Sequence, residues 1–401
     1  MGRRARAGLI VALGIFAAAN VLLVNLVLPQ RIWPAVWPVD PLGETRRFLA
    51  GSQRGDAWAP MILALRDAEL MADRPSDTTR QRAGQATLPY SPPSLLVLSG
   101  IERSLGPSRG DLLSALNLVS RASVVLLVSC VAGAWALGAG RQVGAPDDRV
   151  VGIALVAVLA LTFYPAISAY GEGQPQAWLN ALFGAAVLGW LVGYRGLAGA
   201  LMGSMALLKP QYAVLIALAA LRGQGRCLVG AAGAVAVGLG MSTWAFGWQQ
   251  HVDHLAALRR LAERGEVSYA SPSAAGPVCA ATVVGAVILI GAALWVPRRW
   301  PGPGGIADLC AIGLTAAVVL PVAGTHHYGI LLPAYVVLVS ALAVGEVGWG
   351  SWPWLGASYF LGSNAFVAPG RFPGMPTLAG ALMALALLYR VGRRGESGFE
   401  R

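Results

Sequence analysis

Apolar runs alternate with short polar breaks along nearly the whole chain, and many of the runs reach or approach the length of about 18 residues that crosses a bilayer as a helix. The pattern predicts a first membrane helix at 8–28. Further crossings are predicted at about 111–139, 150–169, 177–192, 196–222, 227–246, 276–296, 306–323, 328–344, 352–367 and 377–388. One long stretch, from Pro29 to Pro92, interrupts the series; it carries Asp40, Glu44, Asp56, Asp67, Glu69, Asp73 and Asp77 between aromatic and aliphatic residues. Short interfacial helices are expected there, with Met61, Leu63, Leu65, Ala68 and Leu70 covering a lipid-facing side. The apolar stretch 92–105 is too short to cross a layer of about 30 Å at about 1.5 Å per residue, and reads as a re-entrant or membrane-surface element.

The run 196–222 has arginine at both ends and Lys209-Pro210 near its middle. Proline removes a helical hydrogen bond, so the run is expected to be two short helices that meet near one face, leaving both ends on the other. With that hairpin the reading is an all-α, polytopic membrane bundle of about twelve segments. Its units are a basic N-terminal stretch with the first helix (1–28), an extracytoplasmic loop (29–92), a multi-helix domain (93–390) and a tail (391–401).

Composition agrees with this reading. Hydrophobic residues make up 56% of the chain and charged residues 12%, about half the charged share of a soluble domain. Arg3, Arg4 and Arg6 precede the first helix, which places the N-terminus in the cytoplasm by the positive-inside rule and leaves the helix as an uncleaved anchor. The other arginine clusters, at 140–149, 194–196, 222–226, 297–300 and from 390 onward, suit the same side. The net charge of +11 is therefore a topological signal, and no nucleic-acid partner is expected. Cys130, Cys227, Cys279 and Cys310 lack metal-site or redox spacing and read as small apolar residues.

Polar residues inside apolar runs carry the candidate chemistry. Lys209 is the only lysine in the chain and stands too deep in its run to snorkel to either surface, so its ammonium is expected to face an anion in a cavity. The turn Gly171-Glu172-Gly173-Gln174-Pro175-Gln176 offers amide and carboxylate groups to sugar hydroxyls. His326 and His327, ahead of another span, are expected to contact a phosphate or a sugar hydroxyl; adjacent histidines make a poor metal pair. His251 and His254 are assigned to the wet side of a helix lying on the outer membrane surface.

Taken in order, Asp56, Tyr90-Ser91-Pro92-Pro93, Gly173-Gln174, Lys209-Pro210 and His326-His327 resemble the motif series of glycosyltransferase family 87, within the GT-C class of membrane transferases. Ser91 is an insertion in the family's usual Tyr-Pro-Pro entry. The resemblance covers roughly residues 50–340. It implies transfer of a sugar, most often mannose, from a polyprenyl-phosphate donor to a glycolipid or glycan acceptor at the outer face of the plasma membrane. Asp56 would be the catalytic carboxylate acting as general base, with Asp67 the alternative; Tyr90, Glu172, Gln174, Gln176, Lys209, His326 and His327 would bind substrate. The chain has no Asp-x-Asp pair to hold a divalent ion, and neither metal nor other cofactor is expected. A transporter or flippase of lipid-linked sugars, or a non-catalytic envelope-assembly protein, would place the same residues along a path or an interface.

Overall fold

The computed structural model describes residues 41–54, 58–73, 91–105, 108–137, 146–264, 325–343, 349–363, 379–388 and 390. The first membrane helix, Asp56, Tyr90, the spans at 276–296 and 306–323, and the tail lie outside the described residues. Those that are described form helices and turns, with no strand among them.

The 29–92 loop contributes α1 (Pro41–Ala50) and α2 (Trp58–Asp73). Only part of the apolar face of α2 is turned outward. Met61, Leu65 and Ala68 are buried while Leu63 and Leu70 are exposed, because the former pack on α3 (Pro92–Leu105) and α10 (Gly225–Phe246) instead of covering lipid. At 14 residues α3 has the short, non-spanning length expected of it.

The body begins with α4 (Arg109–Leu137), α5 (Pro146–Thr162), α6 (Tyr164–Gly171) and α7 (Gln176–Leu191). The expected crossing at 150–169 is bent by 56° between α5 and α6, at Phe163, with Pro165 in the first turn that follows. After α7 come α8 (Arg195–Leu208), a 3-10 turn at Pro210–Tyr212, α9 (Ala213–Leu221) and α10, followed by α11 (Trp248–Arg264). A second 3-10 turn, Thr325–Leu331, leads into α12 (Leu332–Ala343); α13 (Trp352–Ser363) and α14 (Ala379–Leu388) follow.

The register between α8 and α10 gives the hairpin its shape. Contacts climb both helices together: Gly199 meets Cys227, Gly203 meets Ala231, and Leu207 meets Gly238. The two helices are therefore parallel, and α9 must carry the chain back from the end of α8 to the start of α10. At about 1.5 Å per residue neither α8 nor α9 spans about 30 Å, so together they form a re-entrant pair whose ends lie at one end of the bundle and whose tip is Lys209-Pro210. Close approach of α8 and α10 depends on their glycines: a Cβ on Gly203 would stand 2.6 Å from the Ala231 carbonyl oxygen.

Among the described residues, α4 and α10 are long and apolar enough to cross a membrane, and the bent α5–α6 pair is a third candidate. The outer surface of α10 is apolar, with Val229 74% and Trp244 86% exposed. Such a surface fits hydrocarbon, not water. Helix α11 reverses the expected orientation of its histidines. His251 and His254 are buried, with His251 Nε2 3.2 Å from Ser242 Oγ of α10, while Trp248, Val252 and Leu255 are exposed. The periodicity of α11 was legible, but its wet and dry faces depend on a polar patch on α10 that periodicity does not show.

Candidate functional site

Lys209 ends α8 with an extended backbone (φ −138°, ψ 107°), because Pro210 cannot continue the helix. The break leaves carbonyls at the end of α8 that need donors. Ser91, at the entry to α3, donates its hydroxyl to the Leu207 carbonyl oxygen and approaches that of Leu208 at 3.3 Å. Ser91 therefore braces the hairpin tip.

From this tip the half-buried Lys209 donates from Nζ to Gln176 Oε1 at 3.1 Å and stands 2.8 Å from His327 Nε2. Gln176, fully buried in the first turn of α7, donates from Nε2 to Asn180 Oδ1 and to Tyr212 OH, both at 3.0 Å. These bonds orient the amide: its nitrogen faces two acceptors and its oxygen faces the lysine. A charged ammonium makes His327 Nε2 the acceptor. Two of the three ammonium N–H groups are thus directed by Gln176 and His327.

A second pair borders this network. His326 Nδ1 lies 2.9 Å from Glu172 Oε2, and the two histidine rings stand 4.4 Å apart. Glu172 caps the end of α6, and Gly173 beside it takes a positive φ of 66° that turns the chain into α7. Gln174 stands in that turn, with its backbone N–H donating to Ala169 O at 2.8 Å. The 3-10 turn bearing the histidines reaches α7 because residue 329 is glycine; a Cβ there would collide with the Asn180 amide.

The structure thus brings together Glu172, Gln176, Lys209, His326 and His327 from three stretches distant in sequence. Gln174 belongs to the same turn, where its backbone N–H bonds to Ala169 O. Asp67 lies half-buried on α2, while Asp56 and Tyr90 fall outside the described residues. Sequence reasoning missed Asn180 and Tyr212. A signal existed for both: Asn180 follows Gln176 by one helical turn in an otherwise apolar helix, and Tyr212 follows Lys209-Pro210 by two residues. It also passed over Glu44. This carboxylate is 3% exposed and accepts from Arg47 and Arg54 through Oε1.

The fold and the site define a helical membrane protein with a polar centre, built around a cation at a re-entrant tip. The family model of glycosyltransferase family 87 matches residues 89–323, and the chain belongs to that family; it is a membrane glycosyltransferase. No curated protein and no solved structure matches it.

Proposed function

We propose that the protein moves a sugar, mannose, from a polyprenyl-phosphate donor to a glycolipid or envelope glycan on the outer face of the plasma membrane, with inversion. The observation that carries the reading is the Lys209 ammonium, directed by Gln176 and His327 at the tip of the re-entrant pair. The acceptor oxygen attacks the anomeric carbon, and the bond from that carbon to the phosphate oxygen breaks. The electron pair stays with the phosphate, which gains one negative charge as it leaves on its lipid. Lys209, with the adjacent histidines, stabilises that growing charge where water is scarce.

The acceptor proton passes to a carboxylate, and Asp56 is the group we assign. Its described neighbours on both sides are anchored near the site. The Arg54 N–H donates to Gly171 O at 2.8 Å, and Trp58 stacks on Trp178 of α7 with ring centroids 5.4 Å apart. Glu172 and Gln174, in the turn ahead of α7, are assigned to sugar hydroxyls, and Tyr90 to the entry of the cavity.

The test is transfer from a radiolabelled polyprenyl-phosphate mannose donor in proteoliposomes, with transmembrane movement of the same lipid followed in parallel. Lys209→Met is expected to insert as well as wild type, since it removes an intramembrane charge costing at least about 2.5 kcal/mol. Turnover should fall by about 10²-fold or more. A fully active Lys209→Met protein removes the lysine from the reaction; lipid movement without transfer replaces the enzyme with a flippase.

A further inference from the structure

Glu44 lies where a carboxylate is costly. It is 3% exposed, and its side chain rests flat on the turn that carries Glu172, so close that a Cβ on Gly171 would collide with Oε2. The same segment is fastened by Thr45 Oγ1 to Leu161 O at 2.6 Å and by the Arg54 N–H to Gly171 O. Phe48 packs edge-on against Tyr170 at 5.3 Å.

Compensation for one buried carboxylate needs one cation, yet Glu44 Oε1 accepts from two guanidinium groups. The trio carries one net positive charge. The side chains of Arg47 and Arg54 remain 41% and 48% exposed, and sharing one oxygen holds two like charges side by side while Glu44 neutralises only one of them. Among the described residues each of these arginines spends one N–H on Glu44, and each half-exposed fork keeps further donors. Two converging planar forks match the oxygens of a phosphate better than a point charge does. Tyr164, one residue past the α5–α6 bend, lies in the field of Glu44, Arg47, Arg54 and Glu172, which ties this rim to the histidine side of the site.

We propose that Arg47 and Arg54, positioned by Glu44, form a phosphate-binding rim at the mouth of the site that takes the phosphate ester of a lipid. The inference rests on the transferase reading above and adds a second anion contact to it, separate from Lys209. The phosphate belongs either to the polyprenyl donor or to the headgroup of an anionic acceptor lipid, and the experiment separates the two.

Binding of undecaprenyl monophosphate, of phosphatidylglycerol and of uncharged undecaprenol is measured on the purified full chain in detergent, with monodisperse elution as the check on folding. The Arg47→Gln/Arg54→Gln variant should lose about tenfold or more in affinity for one phosphate lipid, while undecaprenol is unaffected. Loss for undecaprenyl monophosphate assigns the rim to the donor, and loss for phosphatidylglycerol assigns it to an acceptor headgroup. Arg46→Gln, which removes one positive charge from an exposed neighbour, should leave both affinities within about twofold. Glu44→Gln raises the net charge by one, yet should weaken binding because the forks lose their holder; tighter binding would show bulk attraction and overturn the positioning role. If the double variant does not fold, Arg54→Lys, which keeps the charge and loses the fork, is read by the same comparison. Unchanged affinity for both lipids overturns the rim while leaving the transferase reading intact. A wild-type protein that binds neither phosphate lipid overturns the polyprenyl-phosphate reading, and the rim with it.

Discussion

Lys209, Gln176, Asn180 and Tyr212 form a polar network in which the orientation of each group is set by the next. Removing one member leaves a buried neighbour one partner short, which costs more than the lost bond itself. The network leaves the base to be found by mutation. Asp56→Asn keeps size and hydrogen bonding but cannot take a proton, so turnover should fall by about 10² to 10⁴ with little change in donor binding. Asp67→Asn should be much milder, since Asp67 sits on α2, whose buried face packs on α3 and α10. Purified Asp56→Asn at near wild-type rate beside an inactive Asp67→Asn would move the base to Asp67. Full activity in both single mutants and in the double mutant would remove the mechanism.

Helices α8 and α10 are held by backbone proximity, not by large side chains. Gly203 faces the Ala231 carbonyl, whereas a Cβ on Gly233 would meet nothing within 4 Å. Gly203→Leu should therefore destabilise the protein by about 1–3 kcal/mol or prevent folding, and Gly233→Leu should be tolerated. Thermal unfolding in detergent reads the difference, and equal melting temperatures would mean that the glycine contact is dispensable. Much of this hairpin was legible in the sequence, because a proline in the middle of an apolar run with arginine at both ends has few helical solutions. The parallel register of α8 and α10 was not, since small residues occur on several faces of both helices. Similarly, Lys209 and the histidines announced themselves as polar groups in apolar surroundings, while Glu44 was one acid among several in a polar loop. Its burial against Gly171 and its two arginine partners become visible only in the fold.

The arrangement of parallel and antiparallel helices gives the bundle two chemically different ends. Gln176, Lys209 and the histidines gather toward one; Arg195, Arg222 and Arg226, at the open ends of α8, α9 and α10, lie toward the other. The expectation is that 56, 174 and 327 face outward, with 195 and 299 inward. Single cysteines in a background free of the native ones, treated with an impermeant maleimide on intact cells, test it. Positions 56, 174 and 327 should label directly, and 195, 224 and 299 only after permeabilisation. Labelling at 174 that requires permeabilisation would overturn the orientation and the shared outward site, and opposite behaviour of 195 and 224 would overturn the re-entrant pair. The sole lysine has a practical consequence of its own. An amine-selective reagent meets a single ε-amine per chain, and that amine stands beside Gln176 and His327. Apart from the α-amine, every adduct of this kind is an adduct in the site, so its occupancy can be counted by mass on the unmodified protein.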